Sequence, residues 1–223
     1  VKLPVLMRVT TRMAHSRAVV NIKETPRLEN VLNYDAVAAN WVLLPANARK
    51  RNDHVTAQQA ELEEWAATCT YNTLTMADNH SMAVVASGIA INYLNECFPQ
   101  GCPYPVLKVS AYPLPKKLLA QMAEITDTFM VIEEGQPLIE EMMMGVLPSK
   151  FTVKGRLSGD LPRTGELNPD LVKKAMGLPV ETVYAKAENV ANRPPALCQG
   201  CGHRDVYAAL NKVLLDYPNA RVF

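Results

Sequence analysis

The chain has 223 residues, 48% of them hydrophobic and 20% charged, with a formal net charge of +1. This is enough apolar content to bury a core, and too even a charge for a disordered tail or a dedicated nucleic-acid surface. No apolar run approaches the ~20 residues of a membrane span. No signal peptide is recognisable, and five cysteines, an odd number, suit a reducing cytoplasm better than a disulfide framework.

In chain order, Pro4 to Arg8 reads as a short apolar strand, Thr10 to Ser16 as a polar loop and Arg17 to Ile22 as strand-like. Residues 24–33 and 36–48 carry Pro26, Asn40 and Pro45 and read as an extended connector. Leu62, Trp65 and Ala66 among Gln and Glu predict a helix over Val55 to Thr70. From Asn79 strand and helix alternate. Strands are predicted at Ser81 to Ser87, Val106 to Ser110 and Thr128 to Glu133. Helices are predicted at Ile89 to Cys97, Pro115 to Ile125 and Pro137 to Met144. Short connections between them imply an α/β fold with a parallel sheet and right-handed crossovers. Phe151 to Asn192 reads as an ordered linker with a short helix at Leu171 to Met176, and Asp205 to Leu215 as an amphipathic helix. The chain opens on Val1 inside a strand-like run and stops where another begins, so the expectation is an interior fragment of a longer polypeptide.

Cys198-Gln199-Gly200-Cys201-Gly202-His203 is the stretch most able to carry chemistry. C-x-x-C spacing lets a tight turn aim both sulfurs at one metal ion or cluster. Gly200 and Gly202 suit unusual φ and close backbone approach. The helix that follows presents free N–H groups and a partial positive charge, which favour thiolates, phosphates and anionic clusters. The spacing alone leaves open a redox pair, half a zinc site, half an iron–sulfur site or two unpaired thiols.

Arg193 to Arg204, which contains this motif, resembles the start of the thiamine-diphosphate-binding domain in the indolepyruvate:ferredoxin oxidoreductase alpha subunits, part of the wider 2-oxoacid:ferredoxin oxidoreductase family. That family usually has Pro at the position of Gln199 and often at that of Gly202. Three other stretches are similar to the same subunits in the same order: Leu6 to Arg17, Tyr112 to Lys117 with Val131 to Glu134, and Gly155 to Pro169. The resemblance implies the end of a pyrimidine-binding domain at 1–22, a connector with a helix at 23–75, a transketolase C-terminal-like α/β domain at 76–150, a linker at 151–192 and the start of a thiamine-diphosphate domain at 193–223.

It also implies an activity: oxidative decarboxylation of an arylpyruvate such as indolepyruvate, with ferredoxin accepting electrons and coenzyme A taking the acyl group. Thiamine diphosphate with Mg²⁺ and iron–sulfur clusters would supply the chemistry. Cys198 and Cys201 match cluster ligands of the wider family, although two thiolates are half the usual four. Gly200, Gly202 and His203 are candidates for contact with the thiamine cofactor. Arg12 matches an Arg that contacts the substrate carboxylate, with His15 beside it; a guanidinium can hold a carboxylate bidentately. A beta subunit and ferredoxin are the expected partners, in an oligomer free of nucleic acid and membrane. The Glu that activates the cofactor is expected upstream of Val1 and the Mg²⁺-binding Gly-Asp motif after Phe223, so the fragment alone is expected to be inactive.

Each candidate has a plainer reading. Arg8, Arg12 and Arg17 are equally readable as solvated surface cations. His203 could be a helix-capping histidine. Cys69 and Cys97 read as small hydrophobes, and Cys97-x₄-Cys102 has no further ligand nearby in sequence. Glu133-Glu134 could be catalytic at a strand end, but Glu134 reads better as a cap or a contact to a neighbouring domain. His54 and His80 read as satisfied or solvated, and Met142 to Met144 as packing. Two alternatives of other classes remain open: a non-catalytic α/β docking domain, and a Cys-x-x-Cys zinc or redox module.

Overall fold

The computed structural model describes residues 5–9, 11–22, 24, 37–180, 189 and 196–221. The chain divides into two units, Val1–Glu181 and Thr182–Phe223.

In the first unit the fold is set by strands that are apolar on both faces. Ala83, Val84, Val85 and Ala86 of β2 (Ala83–Ser87) are all fully buried. A strand with no polar face must be covered on both sides, the usual state of a parallel sheet. The sheet has five strands in the order β1 (Thr73–Thr75), β3 (Val106–Val109), β2, β4 (Thr128–Ile132), β5 (Thr152–Lys154). The β3–β2, β2–β4 and β4–β5 pairs are parallel, and β1 closes one edge antiparallel to β3. Alternate side chains feed two cores. Ala83, Val85, Phe129 and Val131 pack with Leu119 of α5 (Lys116–Ala123) and Ile139 and Met143 of α6 (Leu138–Val146). On the other face Val84, Ala86, Met130 and Ile132 pack with Tyr93 and Leu94 of α4 (Ala90–Cys97) and Val172 of α7 (Pro169–Ala175).

The alternation predicted from Asn79 onward matches these elements to within one or two residues. Five stretches differ from the reading. Residues 11–15 form a short helix, α1 (Thr11–His15), where a loop was expected; Thr-Arg-Met-Ala-His contains no helix breaker. Val5 to Val9 and Arg17 to Ile22 are exposed and form no strand, because no partner among the described residues supplies a ladder; Pro4 lies outside the described residues. The helix expected over Val55 to Thr70 is two helices, α2 (Pro45–Ala57) and α3 (Gln59–Thr68), joined at Gln58. Pro45 sits in the first turn of α2, where a missing N–H is harmless. Residues 151–168, read as linker, supply β5 and the buried Leu161 and Leu167, while the short helix expected at Leu171 to Met176 is α7. Residues 25–36 of the expected connector lie outside the described residues.

In the second unit the described residues form one helix, α8 (Gly202–Leu214), preceded by the cysteine turn. Among the described residues no helix is long and apolar enough to cross a membrane.

Candidate functional site

The cysteine turn folds as its glycine suggests. Gly200 has φ +72°, a conformation that L side chains rarely adopt. The turn closes with the Cys201 N–H donating to the Cys198 carbonyl at 3.3 Å, and Cys201 occupies the N-cap position of α8. Gly202 opens the helix, and a Cβ built there would meet nothing within 4 Å among the described residues. Cys198 is exposed and Cys201 half-buried. Cys201 Sγ lies 3.4 Å from His203 Nδ1, so the structure brings that thiol and the imidazole together at the start of α8. Arg204 Nη1 donates to Gln199 Oε1 at 3.0 Å and braces the turn from outside. Among the described residues no group of three or more His, Cys, Asp and Glu side chains could hold a metal ion. The turn therefore offers two thiols, which fit half of a four-thiolate cluster site. Arg193, Pro194 and Pro195 of the same phrase lie outside the described residues.

The candidate substrate residues are on α1. Arg12 and His15 are three apart, which places them on one side of this single turn of helix. His15 is exposed; the Arg12 side chain lies outside what the structure describes. Ser16 Oγ closes the turn by donating to the Met13 carbonyl at 2.8 Å.

At the carboxyl end of β4 lies a buried polar cluster that the sequence reading did not assemble. Glu133, almost fully buried, accepts the N–H groups of Ile139 and Glu140 at 3.0 Å each, so its carboxylate caps α6. Burial is the largest influence on it and pushes its pKa up; the two N–H groups pull the other way. Glu140, fully buried, accepts from the Arg156 N–H at 2.8 Å and the Leu157 N–H at 3.1 Å. The buried Arg156 guanidinium donates to the carbonyls of Glu133 at 3.0 Å, Pro162 at 2.6 Å and Gly165 at 3.3 Å, and faces Glu134 at 3.6 Å. Glu134 also accepts the Leu167 N–H at 3.1 Å. The Glu133-Glu134 pair is thus structural: the first caps a helix and the second holds the 155–167 loop. The one signal in the sequence was that Gly155-Arg156 opens a phrase with family resemblance.

The other candidates fall to their plainer readings. Met143 is buried, Met142 packs against the core and Met144 is exposed. His54 and His80 are exposed. Cys97 and Cys102 are half-buried against the second core, and burial raises both thiol pKa values.

Comparison with known proteins gives these observations a setting. No family model matches the chain. Indolepyruvate oxidoreductase subunit IorA of Methanothermobacter thermautotrophicus is 33% identical over 220 residues, covering 94% of this chain and 36% of that protein. The chain is thus similar to IorA subunits along nearly its whole length. The IorA of Archaeoglobus fulgidus is 27% identical over 98% of the chain and 37% of its own length, and that of Thermococcus kodakarensis 25% over 93% and 35%. The chain therefore spans little more than a third of the length of the IorA relatives it matches. Among solved structures, a chain of 2-oxoglutarate:ferredoxin oxidoreductase from Magnetococcus marinus covers 61% of this chain and 24% of its own, with 12% identity and a TM-score of 0.43.

Proposed function

We propose that the chain is part of a 2-oxoacid oxidoreductase of the indolepyruvate type. The observation that carries this is the similarity to IorA subunits over 94% of the chain. In this reading residues 1–22 complete a pyrimidine-binding domain and 193–223 open a thiamine-diphosphate domain. The α/β unit between them is transketolase C-terminal-like, its sheet extended to Thr73 and Lys154.

Each group then has a task of its own. Arg12 and His15 bind the 2-oxo acid carboxylate from α1. Cys198 and Cys201 supply two thiolates toward an iron–sulfur cluster whose remaining ligands lie outside the described residues. Gly200 makes the turn that lets them converge. His203 lies against Cys201, and with Gly202 it would hold the diphosphate of the cofactor at the helix N-terminus, where a negative charge is favoured. When bound, thiamine diphosphate supplies an electron sink and the cluster one-electron transfer. Ferredoxin, coenzyme A, Mg²⁺, a beta subunit and an oligomeric, cytoplasmic enzyme belong to the same reading, and the chain alone is inactive.

The test is the full-length protein with its partner subunit, reconstituted anaerobically with iron, sulfide and thiamine diphosphate. Indolepyruvate-dependent reduction of methyl viologen and iron content are followed for the wild type, Cys198→Ala and Cys201→Ala. Thiamine-dependent activity that falls together with iron in both variants is expected. Zinc in place of iron would favour the zinc module, and no turnover of any 2-oxo acid would leave a docking domain as the better account.

A further inference from the structure

The stretch Val5 to Val9 contributes nothing to the buried core, yet it is tied to the sheet at a specific point. Arg8 Nη2 donates to the carbonyl of Glu134 at 3.2 Å, just beyond the end of β4. The next residue, Gly135, has φ +77°, and a Cβ there would stand 2.8 Å from the same Nη2. The positive φ calls for glycine, and a Cβ there would displace the tip of the Arg8 side chain from its seat. The seat is firm, because the Glu134 carboxylate is held by the Leu167 N–H and faces buried Arg156. Tyr112, in the β3–α5 connection and half-exposed, has its pKa raised by partial burial of its ring and by Glu133, and lowered by Arg8.

All three stretches of this unit that carry the family resemblance thus meet at one end of β4: Leu6 to Arg17 through Arg8, Tyr112 to Lys117 with Val131 to Glu134 through Glu134, and Gly155 to Pro169 through Arg156 and Leu167. The chain crosses from β3 over β2 to reach β4, so the strand order reverses here. Ligands of open α/β sheets gather at the carboxyl ends of strands at such a reversal. Arg8 precedes Thr11, the first residue of α1, by three positions.

We propose that Arg8 is a positioning residue: its seat on Glu134 and Gly135 fixes where α1 stands, and with it Arg12 and His15. This rests on the reading of Arg12 and His15 as the carboxylate-binding pair. Arg8 touches no substrate; it limits the wandering of the turn that does, and a displacement of about 1 Å is enough to weaken a bound geometry by orders of magnitude.

The experiment uses the full-length enzyme with its partner subunit, indolepyruvate and methyl viologen. Arg8→Ala is expected to raise KM for indolepyruvate about tenfold, with kcat within about twofold and KM for coenzyme A unchanged. Arg8→Lys, which keeps a donor, recovers part of the loss. Gly135→Ala pushes the guanidinium off its seat and raises KM similarly, while its strained backbone lowers the melting temperature; in KM the double variant is no worse than Arg8→Ala alone, as expected of two changes to one contact. A melting curve for Arg8→Ala that overlays the wild type confirms an intact fold, since Arg8 is exposed. If Arg12→Ala raises KM while Arg8→Ala and the double variant do not, the positioning role is wrong and the substrate reading stands. Fully additive effects of Arg8→Ala and Gly135→Ala would also overturn it. If Arg12→Ala itself leaves KM unchanged, the substrate reading fails and takes this inference with it.

Discussion

Two regions of this chain carry their apolar residues in opposite ways. Every buried hydrophobic side chain among the described residues falls between Ala66 and Met176. α8 has none, although Val206, Leu210, Val213 and Leu214 line one side of it at helical spacing. A helix of 13 residues is marginal in water without tertiary packing. The packed region holds no thiol pair of C-x-x-C spacing, and the cysteine turn sits on a region with no buried side chain among the described residues. The packed core and the candidate thiol pair thus lie on different elements, and the low-stability end of a fold is where binding segments are commonly drawn from.

The largest effect that sharpens this contrast lies at Arg156. Its guanidinium is almost fully buried and serves three carbonyls as well as Glu134. Arg156→Ala leaves those acceptors and a largely buried carboxylate without their donor, which costs about 3–5 kcal/mol. Guanidinium unfolding of the chain gives the value. A loss below about 1 kcal/mol would mean that water replaces the guanidinium, and the 155–167 loop would not be a cooperative part of the sheet.

That loop also shows where reading the sequence stops. β2, β3 and β4 were legible because strands buried on both faces appear as continuous apolar runs bounded by turns. α2 was not, because Pro-Ala-Asn-Ala-Arg-Lys-Arg-Asn-Asp-His is polar all round and shows no stripe. β1 and β5 are three residues each, too short for a period of two to declare itself. The 155–167 loop looked like linker because its place in the core depends on Arg156 meeting partners far away in sequence, and no local pattern encodes such a pairing. The cysteine turn was legible because its chemistry and its geometry are both local, with Gly200 supplying the positive φ. The seat of Arg8 on Gly135 was not, since it joins residues more than a hundred positions apart.

A smaller effect separates the capping carboxylate from the rest of the core. Burial raises the Glu133 pKa above that of the unfolded chain, so the folded protein keeps a proton where the unfolded chain has released it. Stability therefore falls as pH rises from the ordinary carboxylate range through the raised value, and the contribution is fully present only below that range. Glu133→Gln keeps the shape and removes the titration. Unfolding free energies measured between pH ~4 and ~8 should show wild type losing ground to the variant as pH increases. Parallel curves would mean that the two helix N–H groups offset burial, leaving Glu133 an ordinary ionised cap.

The smallest effect is the most telling about α8. Cys201 holds its N-cap position and makes no side-chain capping bond; Sγ lies against His203 Nδ1 instead. Serine, threonine, aspartate and asparagine are the residues that stabilise this position, by about 0.5–2 kcal/mol over alanine. Cys201→Ser places an oxygen within reach of the free N–H groups of the first turn, and should stabilise α8 by up to about 1 kcal/mol while removing a thiolate. Slower hydrogen exchange at the amides of Arg204 to Val206 would register the gain, with the unfolding midpoint of the α/β unit unchanged. Such a result would show that the thiol stands where another side chain serves the helix better, which is expected of a residue kept for binding and not for folding. Faster exchange in Cys201→Ser would instead make the thiol–imidazole contact the true cap of α8, and the cysteine a structural residue.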